Sequence, residues 1–412
     1  MIKPELMAPA GDWIMLRAAV DSGADAVYLG LKSLTMRATA KNFCDDELKE
    51  VVDYCHENEV KVYLTLNSIV FEHELERLDE VLKIAKEANV DMIICWDQAV
   101  IKKAVKEGLQ VCVSTQASVS NSEAAKFYRD LGCKRVVLAR ECTLEQIKNI
   151  KQELGTSMEV EVFIHGAMCV ALSGRCFMSH HLFGKSANCG DCVQPCRREY
   201  LIKDTETLDE DGNELVVGKG YVMSAKDLCT IEFIDELLEA GLDSFKIEGR
   251  KRSPEYVAKA VAVYREAIDL YFKDKNKLSK EKRFELKTEL EKVFNRGFNS
   301  GFYYGTPFGK NSVTDVYGSK ATEKKVQLGF VKNFYDEPMV AFIELTANNL
   351  SKGDKIMIQG VTSGVIELVV TEIRDEEENI IAHASKGTRV SIKLPSKARK
   401  NDQVYKLENK ER

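Results

Sequence analysis

A recurring approach to short apolar runs constrains this chain more than any other feature. Gly23-Ala24-Asp25-Ala26, Asn89-Val90-Asp91-Met92, Gly132-Cys133-Lys134-Arg135 and Gly241-Leu242-Asp243-Ser244 each put a helix-ending residue and then a polar residue directly before such a run. The runs are Leu6–Ala8, Ala26–Gly30, Val62–Leu66, Met92–Cys95, Val111–Ser114, Arg135–Leu138, Val160–Ile164 and Ser244–Ile247. Between them lie amphipathic stretches such as Leu48, Val51, Val52 and Cys55, whose spacing draws one apolar stripe along a helix. Eight strand–helix units predict an α/β chain folded as a (β/α)8, TIM-like barrel. A doubly wound sheet is the alternative, but the glycine-rich phosphate fingerprint that usually follows its first strand is absent.

The rhythm breaks once. From Ile164 to Ser244 the interval far exceeds the ~2–6 residues of an ordinary βα loop, which predicts a functional insertion at 165–229, before the last strand. The barrel is therefore assigned to residues 1–272. A charged helical and aromatic segment, 273–325, connects it to residues 326–412. There the pattern changes to short alternating strands: Gly329–Val331, Val340–Leu345, Lys355–Gln359, Glu367–Ile373, Ile380–His383 and Val390–Leu394. Turn signals such as Lys352-Gly353-Asp354 separate them, predicting a small C-terminal β-barrel domain.

Cysteine usage carries the main chemical signal. No apolar run approaches the ~18 residues of a membrane span. Met1-Ile2-Lys3-Pro4-Glu5 leads into the first strand without a hydrophobic leader, so the expectation is a cytoplasmic protein with no membrane partner. In that compartment thiols stay reduced, so the twelve cysteines are not a disulfide framework. Six are scattered from Cys44 to Cys142 within apolar patterns, where cysteine is usually a small buried hydrophobe. Five crowd into Cys169, Cys176, Cys189, Cys192 and Cys196, and Cys229 follows alone. Converging thiolates suit zinc or iron–sulfur centres. The spacing matches neither a zinc ribbon nor the ferredoxin run, so the metal stays open at this point. A cysteine nucleophile would need a histidine, and His165, His180 and His181 are near in sequence.

A net charge of −6 gives no overall attraction for nucleic acid. Two segments depart from it: residues 386–412 hold nine Lys/Arg to three Asp/Glu, and Lys273 to Arg283 holds six to two. Such runs are either solvated surface or a phosphate-facing patch.

The stretch from Glu161 to Cys196 resembles the signature of the peptidase U32 family. It contains His165-Gly166-Ala167-Met168-Cys169, then Cys176 ahead of Phe177-Met178-Ser179, then Cys192-Val193-Gln194-Pro195-Cys196-Arg197. Glu5-Leu6-Met7-Ala8-Pro9-Ala10-Gly11, Gly23-Ala24-Asp25-Ala26-Val27-Tyr28, Lys246-Ile247-Glu248-Gly249-Arg250 and Phe294-Asn295-Arg296-Gly297-Phe298 resemble it too, so the likeness spans nearly the whole chain. Members were named peptidases or collagenases, whereas better-understood relatives bind a [4Fe–4S] cluster through four cysteines. Those relatives carry out oxygen-independent hydroxylation of tRNA or rRNA bases or of the ubiquinone precursor. Length and the appended β-domain make this chain most similar to the branch that makes 5-hydroxyuridine at the tRNA wobble position. The resemblance implies tRNA as substrate and prephenate as the small-molecule oxygen donor. A homo- or hetero-oligomer with a related family member fits the same picture. Carried over by position, the cluster ligands are Cys169, Cys176, Cys192 and Cys229. Cys196 belongs to the motif without being an expected ligand, and the extra thiol Cys189 leaves the third position open among Cys192, Cys189 and Cys196.

Barrel enzymes place chemistry at the C-terminal strand ends. Polar residues expected there include Asn67, Asp97, Gln116, Arg140, Glu141, His165, Lys246, Glu248 and Arg250. His165, Glu248 and Lys246 are the catalytic candidates. Arg197, Arg198, Arg250, Arg140 and Gln116 are the substrate-binding ones, since planar guanidinium suits carboxylate or phosphate. Structural ion pairing is the plain alternative for each. The aromatics from Phe298 to Tyr304 either stack on bases or pack internally. Two other functions stay open: a U32-type protease or collagenase, and a non-catalytic, metal-stabilised RNA-binding protein. No HExxH motif or nucleophile elbow supports the protease.

Overall fold

The computed structural model describes residues 2–172, 174–208, 214–307 and 312–410; Ser173 of the cysteine motif and Arg412 of the basic run lie outside them. Eight parallel strands close on themselves: β1 (Glu5–Pro9), β2 (Ala26–Leu29), β3 (Lys61–Thr65), β4 (Met92–Cys95), β5 (Val111–Val113), β6 (Arg135–Val137), β7 (Glu159–Gly166) and β8 (Ser244–Ile247). Each pairs with its sequence neighbour, and β8 pairs with both β7 and β1. The predicted barrel is present, with all eight strands in the expected places.

The repeated approach motif has a physical job. Asp25 Oδ2 accepts the backbone N–H of Leu6 at 2.8 Å, Asp91 Oδ2 that of Val62 at 2.7 Å, and Asp243 Oδ2 that of Val160 at 2.7 Å. Each aspartate opening a strand thus also fixes the start of the strand beside it. Lys134 occupies the fourth copy of the motif and cannot accept. Helices between the strands start on polar caps: Asp12, Asp97 and Asn121 accept from their first turns, and Thr143 forms a reciprocal box with Gln146.

Inside the lower barrel lies a charged layer. Arg135 reaches Glu5 at 2.7 Å, Glu159 at 2.7 Å and Glu161 at 3.2 Å, and Glu161 also accepts from Lys246 at 2.9 Å. Arg135, Glu161 and Lys246 are buried, so these charges hold only as a mutually paired set.

The long interval leaves β7, forms a helix at Met178–Phe183 and a hairpin at Tyr200–Leu208 and Glu214–Gly220, then returns as a strand, Asp227–Cys229. That strand runs antiparallel to the overhanging end of β7, pairing Leu228 with Gly166 and Cys229 with His165. Two glycines let the interval lie tight on the β2 loop. A Cβ at Gly190 (φ +90°) would stand 2.4 Å from the Thr35 carbonyl oxygen, and one at Gly174 (φ +76°) 2.3 Å from Met36 Cε.

Beyond the barrel, a separate antiparallel sheet begins at Glu323. Its order is Gly364–Val369, Lys355–Gly360, Gln403–Asn409, Glu323–Tyr335, Val340–Leu345, Arg389–Lys393, Ile373–Arg374, Ile380–Ile381. It has its own core, including Leu328, Val331, Ile343, Ile356, Val390 and Val404. The unit docks on the outer faces of the helices Trp13–Asp21 and Pro254–Lys273, where Arg17 Nε donates to Val361 O at 2.8 Å and Lys325 pairs with Glu255 at 3.0 Å. Among the described residues, no helix is long and apolar enough to cross a membrane.

Candidate functional site

Two cavities meet at the C-terminal end of the barrel. The first is the mouth, walled by Tyr28, Thr65, Gln116, Arg140, Phe163, Lys246, Glu248 and Arg250 from the strand ends and by Arg37 from the loop after β2. The second lies between the mouth and the long interval; Cys169, Cys176, Cys192 and Cys196 line it together with Arg197 and Lys251. Met36, Arg37, Arg140 and Gly174 belong to both walls.

The mouth is strongly cationic and internally braced. Arg250 is buried and donates to Thr35 Oγ1 at 2.8 Å and Thr65 Oγ1 at 2.9 Å. Burial, with Arg37 nearby, brings its guanidinium down to about 10, the mark of a cation short of counter-charge. Arg37 meets Glu248 at 3.2 Å. Burial pushes the Glu248 carboxyl up, but Arg37, Arg252 and Arg140 outweigh it and hold the group below the usual carboxylate range. Arg140 donates to Ala167 O at 2.7 Å and lies 3.9 Å from the Phe163 ring centroid, while its buried Nε has no partner among the described residues. Lys246 is neutralised from below by Glu161 and lies 4.5 Å from the Tyr28 ring centroid. Gln116 is fully used: it donates to Asn67 O at 2.8 Å and accepts from Ser114 Oγ at 2.8 Å.

Several sequence expectations need correction. His165 lines neither cavity. It is buried on β7 with its ring packed against Tyr256, Tyr264 and Phe298 at 5.8, 5.5 and 5.5 Å, and burial drives its pKa to about 3. It is a neutral packing residue. Cys229 lines neither cavity. Buried behind β7, it takes a hydrogen bond from the Tyr264 hydroxyl at 3.8 Å, and burial lifts its thiol to about 11. Cys196 stands with Cys169, Cys176 and Cys192 instead: burial raises its thiol, Arg197 opposes, and those three thiols push it up further. Arg197 clamps the loop, donating to Ala225 O at 2.7 Å and to Met168 O. Arg198 is exposed and lies over Phe183, outside both cavities. Asp97 serves as a helix cap. Glu141 does not line the mouth but a third cleft, beside Cys169 and Phe302.

The charge runs resolve similarly. Lys275 pairs with Glu239, Lys282 with Glu266, Arg283 with Asp235, Arg389 with Glu344, Lys397 with Asp336 and Lys406 with Asp354. Half of the Lys273–Arg283 cations and a third of those in 386–412 are thus neutralised locally. Phe298 packs on His165 and Tyr303 donates to Phe163 O at 2.6 Å, so these two pack internally, whereas Tyr304 is exposed and donates to Glu236 at 2.6 Å. Arg37 was the residue missed. It sits in an aperiodic loop, and only its pairing with Glu248, distant in sequence, brings it to the site.

Four thiols on one cavity wall are the donor type that an iron–sulfur cluster takes. Among the described residues, no three His, Cys, Asp or Glu side chains are arranged to hold a metal ion. A cubane cluster takes one thiolate on each iron, so its ligands stand further apart, around a space like this cavity. A thiolate-held cluster is a net anion, and Arg37, Arg140, Arg197 and Lys251 supply charge of the opposite sign on the same wall.

Comparison with known proteins bears on what the two cavities serve. Residues 11–312 match the family described as Peptidase family U32. The chain is 45% identical over 413 residues to a Methanocaldococcus jannaschii protein named an uncharacterized protease, covering 99% of each. It is 39% identical over 417 residues to a Porphyromonas gingivalis protein named collagenase, covering 99% of this chain and 98% of that one. It is 36% identical over 384 residues to a Bacillus subtilis protein named tRNA hydroxylation protein P1, covering 92% of this chain and 88% of the relative.

Proposed function

The chain belongs to peptidase family U32, and on that premise we propose that it is an RNA-modifying enzyme that hydroxylates wobble uridine of tRNA at C5 without molecular oxygen. A small anionic donor, prephenate, occupies the barrel mouth, and a [4Fe–4S] cluster is held by Cys169, Cys176, Cys192 and Cys196. The carrying observation is the shared wall of Arg37 and Arg140, which joins a cationic pocket directly to four clustered thiols. The B. subtilis relative named for tRNA hydroxylation supports the same substrate class.

Each residue has a defined task. Arg250, aimed by its two threonines, and Arg140, with a spare donor, clamp the carboxylates of the donor. Glu248 keeps Arg37 turned across the opening between the cavities. The buried walls exclude water, which strengthens those ion pairs. A cluster bound to the thiols would supply one-electron chemistry beside the donor.

The protease reading has less behind it. No histidine among the described residues lines either cavity, so no imidazole base stands beside the thiols there. The test is anaerobic incubation with unmodified tRNA, with and without prephenate, followed by mass spectrometry of the nucleosides. The expected product is uridine heavier by one oxygen, formed only with donor and intact cluster. Unmodified nucleosides together with peptide cleavage would overturn the assignment. RNA binding with no product under any donor would leave only the non-catalytic reading.

A further inference from the structure

The outer rim of the thiol cavity carries features that neither cavity uses. Phe177, between the lining residues Cys176 and Met178, is 72% exposed. Arg198 lies with its guanidinium carbon 4.6 Å from the Phe183 ring centroid, and Arg175 lies at the same distance from Trp96. Neither arginine pairs with a carboxylate among the described residues. The stretch from Val170 to Arg198 holds four Arg/Lys to one Asp in a chain of net charge −6. A guanidinium 4.6 Å from a ring centroid lies within cation–π reach of that ring, and a nucleobase can stack against such an exposed arginine–aromatic pair while the charge answers the adjoining phosphate. An apolar protein partner would find that face charged, and a closed duplex offers no base faces to stack.

We propose that this rim grips the unpaired nucleotides on either side of the reacting one, with Phe177, the Arg198–Phe183 pair and the Arg175–Trp96 pair as stacking platforms. The enzyme thereby takes its RNA as an open loop and not as a helix. This rests on the RNA-modifying reading above and adds to it where the RNA is held.

The test uses full-length, anaerobically purified protein and two labelled RNAs: a hairpin with an unpaired uridine-containing loop, and the same strand annealed to its complement. Wild type should prefer the hairpin. Phe177→Ala and Phe183→Leu should each weaken hairpin binding by about tenfold, raise KM for the hairpin without changing kcat, and leave duplex affinity unmoved. Iron content and thermal unfolding identify variants that have merely misfolded; Phe183→Leu retains apolar bulk for that purpose. Unchanged hairpin affinity in both variants, with wild type still modifying RNA, would overturn the rim alone. A change confined to sedimentation behaviour would make the patch a protein interface and overturn it equally. If wild type neither binds nor modifies RNA, the functional reading fails first.

Discussion

In the barrel mouth, every charged side chain is held by a partner that is present without any ligand. Arg250 has its threonines, Arg37 has Glu248, and Lys246 has Glu161. In the thiol cavity, the four cysteines come from one loop whose grip on the barrel depends on two close-packed glycines and the clamp of Arg197. The mouth is thus built on strands, whereas the thiol wall is built on a loop. Binding to the native state alone stabilises it by mass action, so loading should matter far more to the second region than to the first.

Removing thiols should give the largest separation. Cys169→Ser, Cys176→Ser, Cys192→Ser or Cys196→Ser should strip iron and sulfide from anaerobically purified protein and lower turnover by roughly two orders of magnitude or more. Cys229→Ala should keep both, at a cost of about 1–2 kcal/mol for a small buried void. Iron loss in Cys229→Ala with retention in Cys196→Ser would reverse the ligand assignment.

Arg135→Ala attacks the barrel instead. It removes the buried cation shared by Glu5, Glu159 and Glu161, leaving Glu161 with Lys246 and Glu5 with Lys61, and denaturant unfolding should show a loss of about 3–5 kcal/mol. A loss under 1 kcal/mol would mean that the charged layer is not the rigid floor of the mouth.

Gly190→Ala should cost about 1–3 kcal/mol locally, because the Cβ meets the Thr35 carbonyl at a positive φ. Limited proteolysis should open the segment from Val170 to Arg198 while the global unfolding midpoint stays put. A global shift instead would show that the two regions fold as one.

A finer probe is pH. The unfolded chain protonates His165 near its ordinary 6.5, whereas the fold resists until about 3, so the unfolded state binds the extra proton in between. Stability should therefore fall as pH drops from about 6.5 to about 3, by up to roughly 1.4 kcal/mol per pH unit, and His165→Gln should flatten that slope. The smallest effect belongs to the paired surface cations. Lys282→Ala and Lys406→Ala should shift RNA affinity by no more than about twofold, measured across salt concentrations.

The barrel was legible because its strands are local apolar runs behind a repeated motif. The C-terminal sheet was less so. Gln403–Asn409 reads as part of a basic tail, yet it sits between Glu323–Tyr335 and Lys355–Gly360 and is held by pairing that no local pattern reports. Glu323–Tyr335 was predicted as Gly329–Val331 alone, because the consecutive charges Glu323-Lys324-Lys325 open it and its register shifts near Gly329. At the site, crowding along the chain brought all four cavity thiols to notice, whereas the resemblance put Cys229 in place of Cys196. Spacing could not distinguish Cys196 from Cys229, since which face of β7 a returning strand presents is decided by packing against Tyr264. Arg37 and its carboxylate lie at opposite ends of the barrel sequence, and no periodicity links them.

The aspartates that tie neighbouring strand starts leave an asymmetry around the ring. They join β1 to β2, β3 to β4 and β7 to β8, whereas between β5 and β6 the place is taken by Lys134, whose side chain offers no acceptor and donates to Gln110 at 3.0 Å. The cylinder therefore has a seam on the side where its strands are also shortest, three residues each. Amide exchange and mechanical unzipping begin at such a seam, and it is where a permuted chain could be cut and rejoined with least harm to the opposite wall that carries Glu248 and Arg250.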